Sequence, residues 1–290
     1  MSSLILVTGA NRGLGRAGAL ALARAGHRLL LTARQLDTLD PVRAELEASA
    51  PGCVERCVAL DLTSFASVRA GAAQLQGLAI DGLLNNAGVM QQSATRRVTG
   101  DGCEETLQVN TLSPFLLTRL LLPGLRRAAR ARIVNVSSRL HMPGTRGAPV
   151  HFDFDDPQLA RSYQPDRAYK NSKLALLWWT YQLAERLAGT PVHCLAICPG
   201  FVPLTASESV TGWQRFFLRH VLVHAPFATS VADVARAYVE ALTDPALAQS
   251  NGIFLADHKP VRSSDESYDK DKASRFWMLA SRLTGLPETD

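Results

Sequence analysis

Short apolar runs alternate along the chain with longer stretches in which Ala and Leu recur at helical spacing. That alternation is the signature of βαβ units feeding a parallel sheet. The runs Leu4 to Val7, Arg28 to Thr32, Val58 to Leu60, Gly82 to Leu84, Arg132 to Val136, Val192 to Cys198 and Ile253 to Leu255 predict seven strands. A first helix is expected from near Gly13 to Gly26, where glycine accepts the left-handed conformation that ends a helix. A second is expected from Asp40-Pro41, an N-cap residue followed by proline at the first helical position. Two stretches break the alternation, 140–167 and 201–229, the latter following Pro199-Gly200. Insertions at the carboxyl ends of strands are where open sheets of this kind place ligand sites. No repeat or low-complexity linker divides the 290 residues, so 1–290 reads as a single α/β domain with a doubly wound, mostly parallel sheet.

Composition narrows the class of partner. With 47% hydrophobic residues the chain buries enough surface to exclude disorder. The net charge of +5 comes from scattered arginines, without the basic stripe and aromatic platforms of a nucleic-acid binder. The five cysteines form no CxxC pair, so neither a disulfide framework nor a zinc site is expected. Met1-Ser2-Ser3 meets Leu4-Ile5-Leu6-Val7 at once, too short and uncharged for a signal peptide. No run approaches the ~20 apolar residues of a membrane span. A soluble, cytoplasmic protein in a reducing interior is expected, without membrane contact.

Directly after the first expected strand stands Thr8-Gly9-Ala10-Asn11-Arg12-Gly13-Leu14-Gly15, followed by a helix. Such a turn needs glycine because the backbone must approach a pyrophosphate closely and present the N–H groups of the helix terminus to it. For a glycine triplet alone, a tight strand-to-helix turn without a ligand is the alternative. Its place after the first strand of a βα series favours the phosphate.

Four further segments fall in order behind it: Asp61-Leu62 after the third strand, Asn85-Asn86-Ala87-Gly88 after the fourth, Tyr169-Lys170-Asn171-Ser172-Lys173 on a later helix, and Pro199-Gly200 after the sixth strand. Together they resemble the short-chain dehydrogenase/reductase family, whose motifs have the forms T-G-x-x-x-G-x-G, N-N-A-G, Y-x-x-x-K and P-G. The resemblance covers almost the whole chain and implies a Rossmann-type fold that binds a nicotinamide dinucleotide. It implies that Gly9, Asn11, Arg12, Gly13, Leu14 and Gly15 form the phosphate turn, with Asp61 and Leu62 on the adenine side. Asn86, Ala87 and Gly88, with Pro199, Gly200, Val202 and Thr205, complete the implied cofactor site, together with Tyr169 and Lys173.

Cofactor choice is read from charge. Enzymes preferring NAD place a carboxylate at the end of the second strand, where it accepts bonds from the ribose hydroxyls. Here that strand ends Leu31-Thr32-Ala33-Arg34, and the nearest carboxylate, Asp37, lies further on. Arg12 adds a second cation from within the glycine turn. Two guanidinium groups suit a 2′-phosphate, and NADP(H) is expected, with two solvent-facing surface arginines as the alternative.

Reducing a carbonyl by hydride leaves an alkoxide that needs a proton. A free tyrosine titrates near ~10, and bringing it close to neutrality asks for about 4 kcal/mol. A cation ~4 Å away at an effective dielectric near 20 is worth about that much. Lys173, one helical turn beyond Tyr169, lies on the same face and is expected to supply it. Ser138 matches the second serine of the family's S-S motif and is assigned a hydrogen bond to the substrate oxygen, with Ser137 as its structural neighbour. Asn110 resembles the family's helix-four asparagine, implied to anchor a water that relays protons past the lysine. A plain helix-interior amide is the alternative.

Two regions set the chain apart. From Ser138 to Tyr169 is 31 residues, so an insertion carrying His141, Met142, His151, Phe152, Asp153, Phe154, Asp155 and Asp156 enters beside the site. The spacing of its His and Asp residues fits no ligand pattern, and no metal is expected. Such an insertion, with Pro199 to Thr205 and the run Ser263 to Tyr268, resembles the retinol dehydrogenase and protochlorophyllide reductase branch and implies a large apolar substrate. The segment 201–229 reads as a lid, with Trp213, Phe216 and Phe217 on one helical side. Core packing and an amphipathic membrane contact are its alternatives. Cys198 reads as a small buried hydrophobe, its alternative being an approach to the nicotinamide. Trp178 and Trp179 fit either core or a subunit interface, and a homo-oligomer stays open. The expectation is an NADP(H)-dependent oxidoreductase acting on a carbonyl or secondary alcohol of an apolar small molecule. A catalytically silent dinucleotide-binding sensor or scaffold on the same fold is the rival.

Overall fold

Four apolar residues form β1 (Leu4–Val7), whose side chains point alternately to opposite faces of the sheet. Leu4 and Leu6 enter the apolar cluster on one face, and Ile5 and Val7 the cluster on the other. The computed structural model describes residues 2–203, 225 and 228–289. After β1 come α1 (Gly13–Arg24), β2 (Arg28–Ala33), α2 (Asp40–Ser49), β3 (Val54–Ala59), α3 (Phe65–Ala73) and β4 (Gly82–Asn85). Helix α4 (Glu105–Leu107) passes through a wide π turn, Gln108–Leu112, into α5 (Ser113–Leu125). Then follow β5 (Ala131–Val136), α6 (Pro165–Arg186), β6 (Val192–Cys198), α7 (Val231–Thr243), β7 (Phe254–Ala256), β8 (Lys259–Val261) and α8 (Lys270–Thr284).

The sheet runs β3-β2-β1-β4-β5-β6-β7-β8, parallel throughout except for the last pair. It has eight strands where seven were expected. The addition, β8, is an edge strand reached through a two-residue turn in which Asp257 (φ 50) and His258 (φ 61) are both left-handed, as a tight hairpin requires. Its Pro260 is tolerated because an edge strand leaves one row of donors unpaired. Strand β3 starts at Val54 rather than Val58, since the polar Glu55 and Arg56 lie exposed on the other edge strand.

Strand order reverses between β1 and β4, so the chain leaves these neighbours in opposite directions and a crevice opens at their carboxyl ends. A buried polar ladder stiffens the floor behind it. Asn85 donates to Asn135 Oδ1 (2.8 Å) and to Thr118 (3.0 Å), and Asn135 donates to Thr180 (2.9 Å). These bonds tie β4 and β5 to α5 and α6.

One face of the sheet packs on Phe115, Trp178, Trp179 and Trp277, all fully buried, with Phe115 edge-on to Trp179 (5.9 Å) and Trp277 (4.9 Å). Trp178 and Trp179 are therefore core residues. Each fully buried apolar side chain of this size contributes ~1.5–3 kcal/mol. The insertion joins the same cluster, because Phe152 packs edge-on against Trp178 (5.4 Å) and Phe276 (5.6 Å). The other face packs on α1 and α7 through Leu20, Leu22, Tyr238 and Leu242.

Candidate active site

The turn between β1 and α1 leaves no room for a side chain at its crossing point. A Cβ on Gly15 would lie 2.2 Å from the Gly9 carbonyl oxygen and 2.6 Å from Asn86 Nδ2. A Cβ on Gly13 would meet nothing within 4 Å, so the outer side of the turn is open. No side chain caps α1, and its first amides keep donors for an anion. A cradle with this shape and these donors fits the diphosphate of a dinucleotide.

Thr8 and Asn86 lock the turn to the end of β4. The Thr8 hydroxyl accepts from the amides of Asn86 (2.9 Å) and Ala87 (3.0 Å) and donates to Leu84 O (3.2 Å). Asn86 Nδ2 donates to Thr8 O (2.9 Å), and its Oδ1 accepts from the Tyr238 hydroxyl (3.2 Å). The Asn86 side chain thus braces the turn from behind. Tyr238 from α7, fully buried, has no counterpart among the expected site residues. Only its place on the apolar face of a helical repeat marks it in the sequence.

Ser138 stands two residues past the end of β5, and Tyr169 and Lys173 lie one turn apart on α6. The Tyr169 phenol lies beside Ser138, which favours its ionised form, while Lys173 Nζ sits 5.6 Å from the Tyr169 ring centroid and donates to Val136 O (2.9 Å). Burial dominates the electrostatics of this pair. It pushes the Tyr169 phenol up to about 12, with the neighbouring Ser138 pulling the other way, and brings the Lys173 ammonium down to about 8. In the protein chain alone, therefore, Lys173 does not draw Tyr169 toward neutrality as its spacing suggested. Ser137, next to Ser138, donates to Lys173 O (3.3 Å) and holds β5 on α6.

Asn110 sits in the π turn with its amide fully engaged. It donates to Val89 O (2.8 Å) and Ser172 Oγ (3.0 Å), and its Oδ1 accepts from Val89 N (2.7 Å). The two bonds to Val89 clamp the segment after Ala87-Gly88 beside Lys173.

The two residues after Tyr169 hold the insertion. Lys170, 2% exposed, donates through Nζ to the carbonyls of Thr145 (3.2 Å), Arg146 (2.6 Å) and Ala148 (2.8 Å). Asn171 clamps the backbone of His151 at both its N–H (3.1 Å) and its carbonyl (2.6 Å). One face of the catalytic-motif helix thereby fixes the loop that follows Ser138. Lys170 stood out in the sequence only as the first of five lysines.

The remaining expected residues fall into three groups. Arg12 and Arg34 are both exposed at the carboxyl ends of the paired strands β1 and β2, with Asn11 and Leu14 beside them in the turn. Asp61 uses one carboxylate oxygen to accept from Thr63 N (2.9 Å) and Oγ1 (2.7 Å), and Leu62 is buried. At the end of β6, Gly200 (φ +77) stands where a Cβ would lie 2.1 Å from Thr229 Oγ1, and Val202 is buried behind it. Cys198, also buried, accepts from Gly200 N (3.4 Å). Thr205 and most of the expected lid, 204–224 with 226 and 227, lie outside the described residues. In the insertion, Asp153 and Asp156 accept from local backbone amides, and among the described residues no three His, Cys, Asp or Glu side chains stand where they could hold a metal ion.

A glycine turn at the switch point, with serine, tyrosine and lysine at the same edge of the sheet, defines a dinucleotide-dependent dehydrogenase architecture. The short chain dehydrogenase family model matches residues 3–150, more than half of the chain, and the chain belongs to that family. Within it the chain falls on the retinol dehydrogenase branch. Retinol dehydrogenase 13 of Homo sapiens is 33% identical, over 97% of this chain and 84% of its own length. Among solved structures, an uncharacterized protein from Mycobacterium paratuberculosis is 30% identical with a TM-score of 0.74, covering 99% of this chain and 95% of that one. The RhlG/NADP active-site complex of Pseudomonas aeruginosa is 27% identical with a TM-score of 0.68, covering 87% of this chain and 93% of that one. The family binds nicotinamide dinucleotides and acts on alcohol and carbonyl groups. Among the described residues no helix is long and apolar enough to cross a membrane.

Proposed function

We propose that the protein is an NADP(H)-dependent oxidoreductase that interconverts a carbonyl and an alcohol, primary or secondary, on an apolar small molecule. The observation that carries the reading is the placement of Tyr169 beside both Ser138 and Lys173, at the same sheet edge as the open glycine turn. When bound, the nicotinamide supplies or accepts the hydride. Tyr169 moves the proton at the substrate oxygen, and Ser138 donates a hydrogen bond to that oxygen as charge develops on it. Lys173 supplies positive charge beneath the phenol. Asn110 spends its side chain on Val89 and Ser172, so any relay water at this position is held from the main chain.

The phosphate turn would hold the diphosphate, and Asp61 with Leu62 the adenine side. Ala87, Gly88, Pro199, Gly200 and Val202 would line the nicotinamide side. The choice of NADP(H) is supported by Arg12 and Arg34 at neighbouring strand ends, where residues 33 and 34 carry no carboxylate. The RhlG structure, a complex with NADP, agrees with that choice. The apolar substrate is supported by the retinol dehydrogenase relative, whose name specifies an apolar alcohol. Five free thiols support a reducing, cytoplasmic setting.

The test is NADPH turnover with a panel of apolar aldehydes and ketones by wild-type protein and Tyr169→Phe. The variant is expected to lose about 10²-fold or more in kcat while keeping its NADPH affinity. Full kcat in the variant would remove Tyr169 from the proton-transfer role.

A further inference from the structure

His141 belongs to none of the motifs on which the site is built, yet both of its ring nitrogens are committed. It ends the short 3-10 turn Arg139–His141 that follows Ser138, and it is 1% exposed. Its Nδ1 lies against the Ser138 carbonyl oxygen, and its Nε2 is 3.1 Å from the main-chain nitrogen of Ser264. These partners fix the tautomer. A backbone N–H only donates, so Nε2 is the acceptor, and Nδ1 carries the proton that the carbonyl receives. The edge-on contact with Phe254, at 5.3 Å and 84°, sets the plane of the ring.

The far end of this link is anchored on the helix that carries Tyr169. Ser263 Oγ is paired with the Tyr181 hydroxyl (2.7 Å) and with Ser267 Oγ (2.6 Å), and Trp178 Nε1 donates to Glu266 O (2.8 Å). Tyr181 and Trp178 both lie on α6. A chain of contacts results, from Ser138 through His141 to the segment after β8, across to α6, and along that helix to Tyr169, which lies beside Ser138.

We propose that His141 is a positioning residue for Ser138: by holding the Ser138 carbonyl against the Ser264 amide, it fixes the serine hydroxyl on Tyr169 and makes the 262–268 segment part of the active-site frame. The proposal rests on the reading of Ser138 and Tyr169 as the catalytic pair. Its physical basis is that carbonyl and hydroxyl belong to one residue. If the peptide plane after Ser138 turns, the chain running on to Leu140 turns with it and the serine hydroxyl loses the amide that orients it, and a displacement of ~1 Å at a reacting group costs up to about 10²-fold in rate. The Ser138 hydroxyl also accepts from Leu140 N (3.2 Å) within the same turn, so the turn and the histidine act on one residue from two sides.

Two substitutions separate the two bonds of the imidazole. In His141→Asn the amide nitrogen falls where Nδ1 was and keeps the Ser138 bond. In His141→Gln the amide oxygen reaches toward Ser264 N–H and the Ser138 bond is lost. With NADPH and an apolar aldehyde, His141→Gln should lose about 10-fold or more in kcat, toward the level of Ser138→Ala. Its KM and NADPH Kd should stay within about twofold of wild type, and His141→Asn, which keeps the Ser138 bond but cuts the tie to Ser264, should lose only about threefold in kcat. Equal losses in both variants, or wild-type kcat in both, would overturn the proposal. Wild-type kcat in Ser138→Ala would instead overturn the catalytic reading beneath it, so the two failures are distinct. If neither variant folds, nitrogen-15 NMR of the wild-type imidazole decides. Nδ1–H with a bare Nε2 supports the link, and the opposite tautomer removes it.

Discussion

Replacing Lys170 with Met keeps the aliphatic stem of a side chain that is 2% exposed and removes only the group that donates to Thr145 O, Arg146 O and Ala148 O. Hydrogen bonds to a charged donor are each worth ~1.5–3 kcal/mol, but burying an ammonium costs several kcal/mol. Thr145 and Ala148 are only half-buried and Arg146 is exposed, so water takes over part of what the carbonyls lose. A net loss of about 2 kcal/mol follows, and it falls on the 145–148 loop rather than on the sheet. The open fraction of the loop should rise about 30-fold, while the global Tm falls by no more than about 4 °C. Trypsin reads the loop directly, because Arg146 is followed by Gly147. Cleavage there leaves pieces of 146 and 144 residues, which co-migrate on a gel and must be followed by intact mass. An unchanged cleavage rate would refute the anchor. An equal acceleration at Arg97, exposed on a separate loop, would refute its locality.

Arg34→Asp should weaken NADPH by about 10-fold to 10²-fold and favour NADH, since it deletes a charged hydrogen bond and adds repulsion. Fluorescence titration checks this, and equal wild-type affinity for the two cofactors would sink the assignment. Gly15→Ala puts a methyl 2.2 Å from the Gly9 carbonyl, so the turn must open. Loss of dinucleotide binding together with about 1–3 kcal/mol of stability is expected, and intact titration would contradict the cradle. His258 pairs with Glu240 (2.5 Å) and Asp233 (3.3 Å), which raise its pKa above the ordinary 6.5. Its contribution to stability is therefore complete below pH 6.5 and lost as pH rises through the folded value. His141, lowered by burial, has the opposite sign: its contribution is complete above pH 6.5 and lost as pH falls below it. Tm against pH should flatten on the alkaline side in His258→Gln and on the acid side in His141→Asn, and unchanged limbs would refute both.

Elements whose apolar residues face one neighbour across a strand or helix period could be read from the chain. The alternation that predicts β1, β4, β5 and β6 is the alternation that divides their side chains between the two core faces. The glycine turn could be read for a related reason, since its conformation is demanded locally by three residues. Strand β8 could not be read, because a three-residue edge strand containing Pro260 buries little and carries no period. Tyr238, Lys170 and His141 escaped for a different reason. Each acts through a partner far along the chain or through backbone carbonyls, and side-chain identity alone says nothing about which carbonyl lies within reach. His141 was visible only as part of a His/Asp cluster with the wrong spacing for a metal, and its two partners, Ser138 O and Ser264 N, are both main-chain atoms.

The Tyr169–Lys173 spacing illustrates the limit of pairwise reasoning from sequence. One helical turn places the ammonium near the phenol, and at ~4 Å that proximity is worth about 4 kcal/mol. Spacing carries no information on how dry the pair is, however, and burial acts on both partners, disfavouring phenolate and ammonium alike. The result is a phenol at about 12 and an ammonium at about 8, with Lys173 spending one donor on Val136 O. On the proposed roles this asymmetry bears on direction. A phenol held well above neutrality is protonated throughout the physiological range, which is the state a proton donor needs when a carbonyl is reduced. Alcohol oxidation needs the phenolate, which burial disfavours and which Lys173 alone does not restore. The balance must come from positive charge added on binding. Reduction therefore starts from the resting protonation state of the site, whereas oxidation has to create its base after the site is filled.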